Sequence, residues 1–122
     1  MMSLSSSRDV QLIGTMGYVS NDCKYCGFDE PVTKAILRND REVVVDCKIG
    51  DDKAFIKAES NDGINFDGRY TWWRSDDTEE GKVKFRLFTN LPEYLFFGSC
   101  VDPAGYEWIW WLDLKENTSN DN

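Results

Sequence analysis

The stretch EVVVDCKIGDDKAFIKAE, residues 42–59, decides the fold. Extended, it puts Val43, Val45, Cys47 and Ile49 on one face and Glu42, Asp46 and Lys48 on the other, with Val44 alone breaking the pattern. After Gly50-Asp51-Asp52 the alternation resumes, with Ala54, Ile56 and Ala58 on one side and Lys53, Phe55, Lys57 and Glu59 on the other. A period of two is the signature of a strand with one dry and one wet face. Gly and Asp supply the tight turn, because they tolerate the backbone angles a reversal needs. One-sided strands joined by short turns belong to antiparallel sheets.

The pattern spreads in both directions from this hairpin. Ile64, Phe66, Gly68, Tyr70 and Trp72 form an inward set, as do Val83, Phe85 and Leu87. Upstream, Val10, Leu12, Gly14, Met16 and Tyr18 mark a first strand and residues 32–37 a second; downstream, residues 94–101 and 106–115 complete the series. Turn residues fall between them at Asn39-Asp40, Asn61-Asp62-Gly63, 75–81, 90–92 and Asp102-Pro103-Ala104-Gly105. No segment keeps an apolar period of 3.6 over three turns, so helix is limited to a turn near residues 29–34. The reading is all-β: an antiparallel meander of about eight strands. Such a meander protects its edges by closing into an up-and-down barrel or by curling strongly.

At 122 residues the chain fits one domain, expected over residues 8–115, with residues 1–7 and 116–122 as disordered ends. Five tryptophans and an aromatic content of 14% supply enough apolar surface to fold without staples. A formal charge of −8 repels phosphate backbones and anionic headgroups, so neither nucleic acid nor a membrane is an expected partner. Lys82, Lys84 and Arg86, spaced by two, read as the wet face of a strand. The chain shows no secretory h-region and no apolar run of about 18 residues. It is therefore expected to be soluble and cytoplasmic, with reduced cysteines, and Asn117-Thr118-Ser119 reads as an accidental glycosylation match.

Four segments carry a resemblance to a known family: Phe66-Asp67-Gly68-Arg69-Tyr70, the strand from Gly81 to Phe88, Leu95-Phe96-Phe97-Gly98, and the run from Trp108 to Leu114. Over residues 64–115 the chain resembles the end of a calycin-type barrel, the group containing lipocalins and avidins. The resemblance implies a barrel able to hold a small molecule.

The chain contains no histidine, which removes Ser-His-Asp triads, Cys-His dyads, HExxH zinc peptidases and facial-triad iron sites built within it. Neither GxxxxGK[ST] nor GxGxxG occurs, so phosphate-cradling loops of those kinds are absent. Cys23-Lys24-Tyr25-Cys26-Gly27 has the spacing of half a zinc knuckle. A structural zinc site would need Cys47 and Cys100 as its other ligands, although they form no second CxxC. The competing reading makes Cys47 and Cys100 small core residues and Cys23 and Cys26 ordinary loop thiols. Asp51-Asp52, Asp76-Asp77 and Glu79-Glu80 fall in expected turns, where solvation explains them.

Trp72-Trp73, Phe96-Phe97 and Trp108-Ile109-Trp110-Trp111 place large side chains on both faces of their strands. One face is core; Trp73, Tyr94 and Trp111 are the candidates for an outward or rim-facing aromatic cluster. The expected function is a non-enzymatic binding module that docks a protein partner or a small apolar ligand through that cluster. A second copy of the chain is among the partners this admits. The alternative is a zinc-stabilised structural domain using all four cysteines, zinc being the one cofactor the sequence suggests.

Overall fold

The computed structural model describes residues 8–117. They form eight strands: β1 (Asp9–Ser20), β2 (Cys26–Arg38), β3 (Glu42–Ile49), β4 (Asp52–Glu59), β5 (Asn65–Trp73), β6 (Thr78–Asn90), β7 (Glu93–Val101) and β8 (Glu107–Glu116). Each pairs antiparallel with its neighbours in sequence, and β8 returns to pair with β1, from Leu12 opposite Glu116 to Ser20 opposite Trp108. The result is a closed up-and-down barrel, in which no strand keeps a free edge.

The alternation in residues 42–59 translates directly into side-chain direction. Val43, Val45, Cys47 and Ile49 on β3 and Ala54, Ile56 and Ala58 on β4 point into the lumen, where all are buried. Facing them are Leu12, Met16, Leu37, Phe66, Phe96, Leu112 and Leu114, each at most 2% exposed, so the middle and one end of the barrel are packed with side chains. This is the expected fate of an eight-stranded lumen, which is just wide enough for side chains to fill. Lys82, Lys84 and Arg86 lie on the outer face, as their spacing requires.

The turns follow local chemistry. Asn39 and Asp40 both take left-handed angles (φ 54° and 58°), and the Arg41 amide donates to the Arg38 carbonyl at 2.9 Å. That is the primed geometry whose twist matches a hairpin. Between β4 and β5 the Asp62 carboxylate accepts from the amides of Ile64 and Asn65, each at 2.8 Å, and from the Asn65 side chain and the Ser60 hydroxyl, each at 2.9 Å. These donors, led by the two backbone amides, hold its carboxyl well below the usual carboxylate range.

Three expectations fail locally. Residues 29–34 are not a helical turn; they belong to β2, where the register slips between Met16 and Tyr18 and Asp29 takes a left-handed φ of 57°. The local departure from strand geometry is a bulge rather than a helix. Ile64 is exposed, because the Asp62 turn holds it outside β5. Glu116 is no loose tail: it ends β8, its amide donating to the Pro92 carbonyl at 2.9 Å and its carboxylate accepting from the Tyr94 hydroxyl at 3.1 Å. The segments 1–7 and 118–122, expected to be disordered, lie outside the described residues.

Gly68 and Gly98 mark places where strands approach too closely for a side chain. A Cβ on Gly68 would sit 1.9 Å from the Lys57 carbonyl oxygen, and one on Gly98 would sit 1.8 Å from that of Lys84. Gly50, by contrast, has a φ of +62° with open space around it. Gly98→Ala is therefore expected to cost about 3 kcal/mol or more through overpacking against backbone, and Gly50→Ala only about 1 kcal/mol of left-handed strain. Urea unfolding of the two variants checks this; equal costs would contradict the close approach.

Candidate functional site

In a closed up-and-down barrel every second connection lies at the same end. The β1–β2, β3–β4, β5–β6 and β7–β8 turns therefore share one rim, here called the mouth. Inward side chains near these turns converge there although they are far apart in sequence. Tyr18 comes from the end of β1, Asp52 from the start of β4, Tyr70 and Trp72 from the end of β5, Glu79 from the start of β6, and Trp108 and Trp110 from the start of β8. With Tyr25, Arg74 and Cys100 they wall a cavity of about 200 Å³.

The rings form one connected set. Tyr18 meets Trp72 edge-on with centroids 5.5 Å apart and lies 6.0 Å from Trp108; Trp110 lies 5.1 Å from Tyr70 and 6.0 Å from Trp72. Glycines make room for two of them. Tyr18 pairs across the ladder with Gly27 and Tyr70 with Gly81, and a Cβ on either glycine would fall within 2.5 Å of the opposite ring. Covering an edge-strand or barrel glycine with a ring is a known device for fixing both.

The β1–β2 loop places Tyr25 over the rim. The Ser20 amide donates to the Tyr25 carbonyl at 2.8 Å, and the Ser20 hydroxyl accepts from the Tyr25 amide at 3.0 Å while donating to Asp22 at 2.7 Å. Cys23 takes a left-handed φ of 63° in this turn. Tyr25, 64% exposed, leans on Trp108 at 6.3 Å. The CxxC spacing thus belongs to a tight hairpin whose chemistry-bearing residue at the mouth is the tyrosine between the thiols.

Carboxylates orient the polar edges of the rings. The Trp72 indole N–H donates to Asp52 Oδ2 at 2.9 Å, the Trp108 indole N–H to Asp102 Oδ2 at 3.2 Å, and the Tyr70 hydroxyl to Glu79 Oε2 at 2.5 Å. Asp102 also accepts from the amides of Ala104 and Tyr106, both at 3.0 Å, which folds the β7–β8 turn around it. Arg74 pairs with Glu79 at 3.4 Å and Asp77 at 3.9 Å, and its guanidinium carbon lies 6.0 Å from the Trp72 ring centre. Burial first, then the hydrogen bond to Glu79 and the charges of Cys100, Glu79 and Asp102, push the Tyr70 phenol far up. Burial, followed by the charges of Glu30, Cys26 and Asp52, raises Tyr18 in the same direction.

The residues expected to form an outward aromatic cluster are not brought together. Tyr94 points into the lumen at the end opposite the mouth and is 7% exposed, because it shares inward parity with Phe96 and Cys100. Trp73 lies on the outside of β5, beside Asp51, Lys53 and Arg74. Trp111 lies on the outside of β8, three strands away, where its ring covers Gly17 and stands 5.8 Å from Phe28. The four cysteines do not converge either: Cys23 and Cys26 are exposed in or beside the β1–β2 loop, and Cys47 and Cys100 are buried on separate strands. Among the described residues no group of three or more Cys, Asp or Glu is placed to hold a metal ion.

The mouth residues Tyr18, Tyr25, Trp72, Trp108 and Trp110 were the ones to seek. The signal for Tyr18, Trp72, Trp108 and Trp110 is inward parity combined with a place next to the β1–β2, β5–β6 or β7–β8 turn; Tyr25, in the β1–β2 loop, has no such parity. No protein-family model, curated protein or solved structure matches this chain.

The cysteine environments have a direct readout. Burial and the nearby Asp46 charge push the Cys47 thiol up to about 12, and burial with the charges of Glu79, Asp102 and Glu107 pushes Cys100 up as well. An aromatic disulfide reagent at pH 8 is expected to titrate Cys23 and Cys26 in the folded protein, and Cys47 and Cys100 only after denaturation. Four fast thiols in the native state would contradict the buried placement.

Proposed function

We propose that this chain is a non-enzymatic binding module whose ligand is a small organic molecule held in the aromatic mouth of the barrel. The observation that carries this reading is the cavity of about 200 Å³ walled by Tyr18, Tyr70, Trp72, Trp108 and Trp110, with polar groups fixed around it. A concave, mainly apolar site with a few oriented polar groups is the usual form of a small-molecule site. The volume falls below the ~300 Å³ at which drug-sized pockets begin, which limits the ligand to one or two fused rings or their equivalent. A calycin-like identity agrees with this reading, since such barrels hold small molecules; its support is the closed antiparallel barrel of eight strands.

A second reading, docking of a protein partner, draws on the outer face. There Phe28 and Phe97, 62% and 46% exposed, flank Trp111. Exposed apolar patches on a barrel wall are sites of association. The mouth is preferred because its rings surround a concavity and its carboxylates orient them, whereas the outer rings lie on a convex wall.

Indole, a neutral ring of suitable size, is the probe that tests the assignment. In an NMR titration the indole N–H signals of Trp72, Trp108 and Trp110 are expected to move while those of Trp73 and Trp111 stay. Trp108→Ala is expected to weaken binding by about tenfold, the typical effect of removing an aromatic anchor, and Trp111→Ala to leave it unchanged. Shifts confined to Trp73 or Trp111 would overturn the mouth in favour of the outer face.

A further inference from the structure

We infer that the mouth selects an organic cation, an arylalkylamine or a quaternary ammonium, with the rings as its walls and Asp52 and Glu79 as its counter-charges. The inference rests on the mouth being a binding site and adds the charge of what it binds.

The polar inventory of the cavity is weighted by its carboxylates. An anionic ligand needs donors, and three of the ring donors at the mouth are already turned onto carboxylates: Trp72 onto Asp52, Trp108 onto Asp102 and Tyr70 onto Glu79; those of Tyr18, Tyr25 and Trp110 are left to a ligand. Beside them the carboxylates offer acceptor capacity. Asp52 uses Oδ2 for Trp72, and its Oδ1 has no protein donor among the described residues. A primary ammonium is a donor without acceptor capacity, so it matches that surplus by hydrogen bond and charge, and a quaternary one by charge alone.

The charge balance agrees. Asp52 and Glu79 line the cavity and Asp102 stands behind Trp108, while Arg74 is the single basic residue of the lining. Arg74 stands at the edge of the mouth, its side chain 43% exposed, in the turn closed by its own amide on the Asp77 carbonyl at 2.8 Å. It also shows what the site attracts. Its guanidinium lies over the Trp72 ring and pairs with Glu79, the position a ligand cation would take, and cations gain from the ring quadrupole as well as from the carboxylate. Arg74 is thus an internal occupant that a better-fitting cation displaces.

Three probes of matched shape test this at neutral pH: phenethylammonium, phenethyl alcohol and phenylacetate, titrated against the full chain while the indole signals are followed. The cation is expected to bind about tenfold more tightly than the alcohol, and phenylacetate most weakly. Arg74→Gln removes the competitor and is expected to tighten phenethylammonium several-fold. Glu79→Gln and Asp52→Asn, which keep an acceptor for Tyr70 and Trp72, are expected to bring the cation down to the alcohol's affinity measured on the same variant; unchanged melting temperatures confirm that the variants are folded. Equal binding of cation and alcohol, with the mouth indoles moving, would overturn cation selection and leave the pocket standing. Tightest binding by phenylacetate, lost in Arg74→Gln, would overturn it in favour of an anion site. Absence of any shift at Trp72, Trp108 and Trp110 would overturn the pocket itself.

Discussion

The pairing of β8 with β1 is the constraint on which the rest depends. It turns a meander with two open edges into a closed wall, and a closed wall of eight strands encloses a fixed, small lumen. Everything that points inward must then fit. Valines, alanines and leucines fill much of the middle and the far end, while Tyr18, Tyr70, Trp72, Trp108 and Trp110 collect near the mouth, where the wall ends and a ring has somewhere to go. Three of the inward rings sit opposite glycine: Tyr18 faces Gly27, Tyr70 faces Gly81 and Trp110 faces Gly98. Large and small side chains are thus complementary across neighbouring strands, as dense packing requires.

Closure also creates the site. Residues as distant as Tyr18, Asp52, Trp72 and Trp108 meet because alternate turns of an up-and-down barrel share a rim. The carboxylates at that rim act twice. They fix the orientation of the rings by accepting from their N–H and O–H groups, and they leave the cavity rich in acceptors and negative charge. A single set of interactions therefore links the shape of the mouth to the chemistry it favours.

Most of the fold was legible in the sequence because period-two alternation reports directly on which side chains share a face. The misreadings came where local geometry departs from that period: the left-handed Asp29 bulge in β2, and Ile64, held outside β5 by the Asp62 turn. The site was harder to read. In Trp72-Trp73 and Trp110-Trp111 one ring of each pair points in and the other out, and alternation alone does not say which end of the barrel an inward ring reaches. That requires counting turns around a closed barrel, so alternation does not separate Tyr94, which sits at the opposite end, from the rings of the mouth. The CxxC spacing points to its sulfurs, whereas the turn chemistry of Ser20 and Asp22 determines where Tyr25 goes.

The most direct test of ligand binding at the mouth is crystallography of the protein soaked with small aromatic amines. Density for the fragment is expected among Tyr18, Trp72, Trp108 and Trp110, with its nitrogen toward Asp52 or Glu79 and the Arg74 side chain displaced from Trp72. Density lodged on the outer wall at Phe28, Phe97 and Trp111, with the mouth unoccupied at the same fragment concentration, would contradict it.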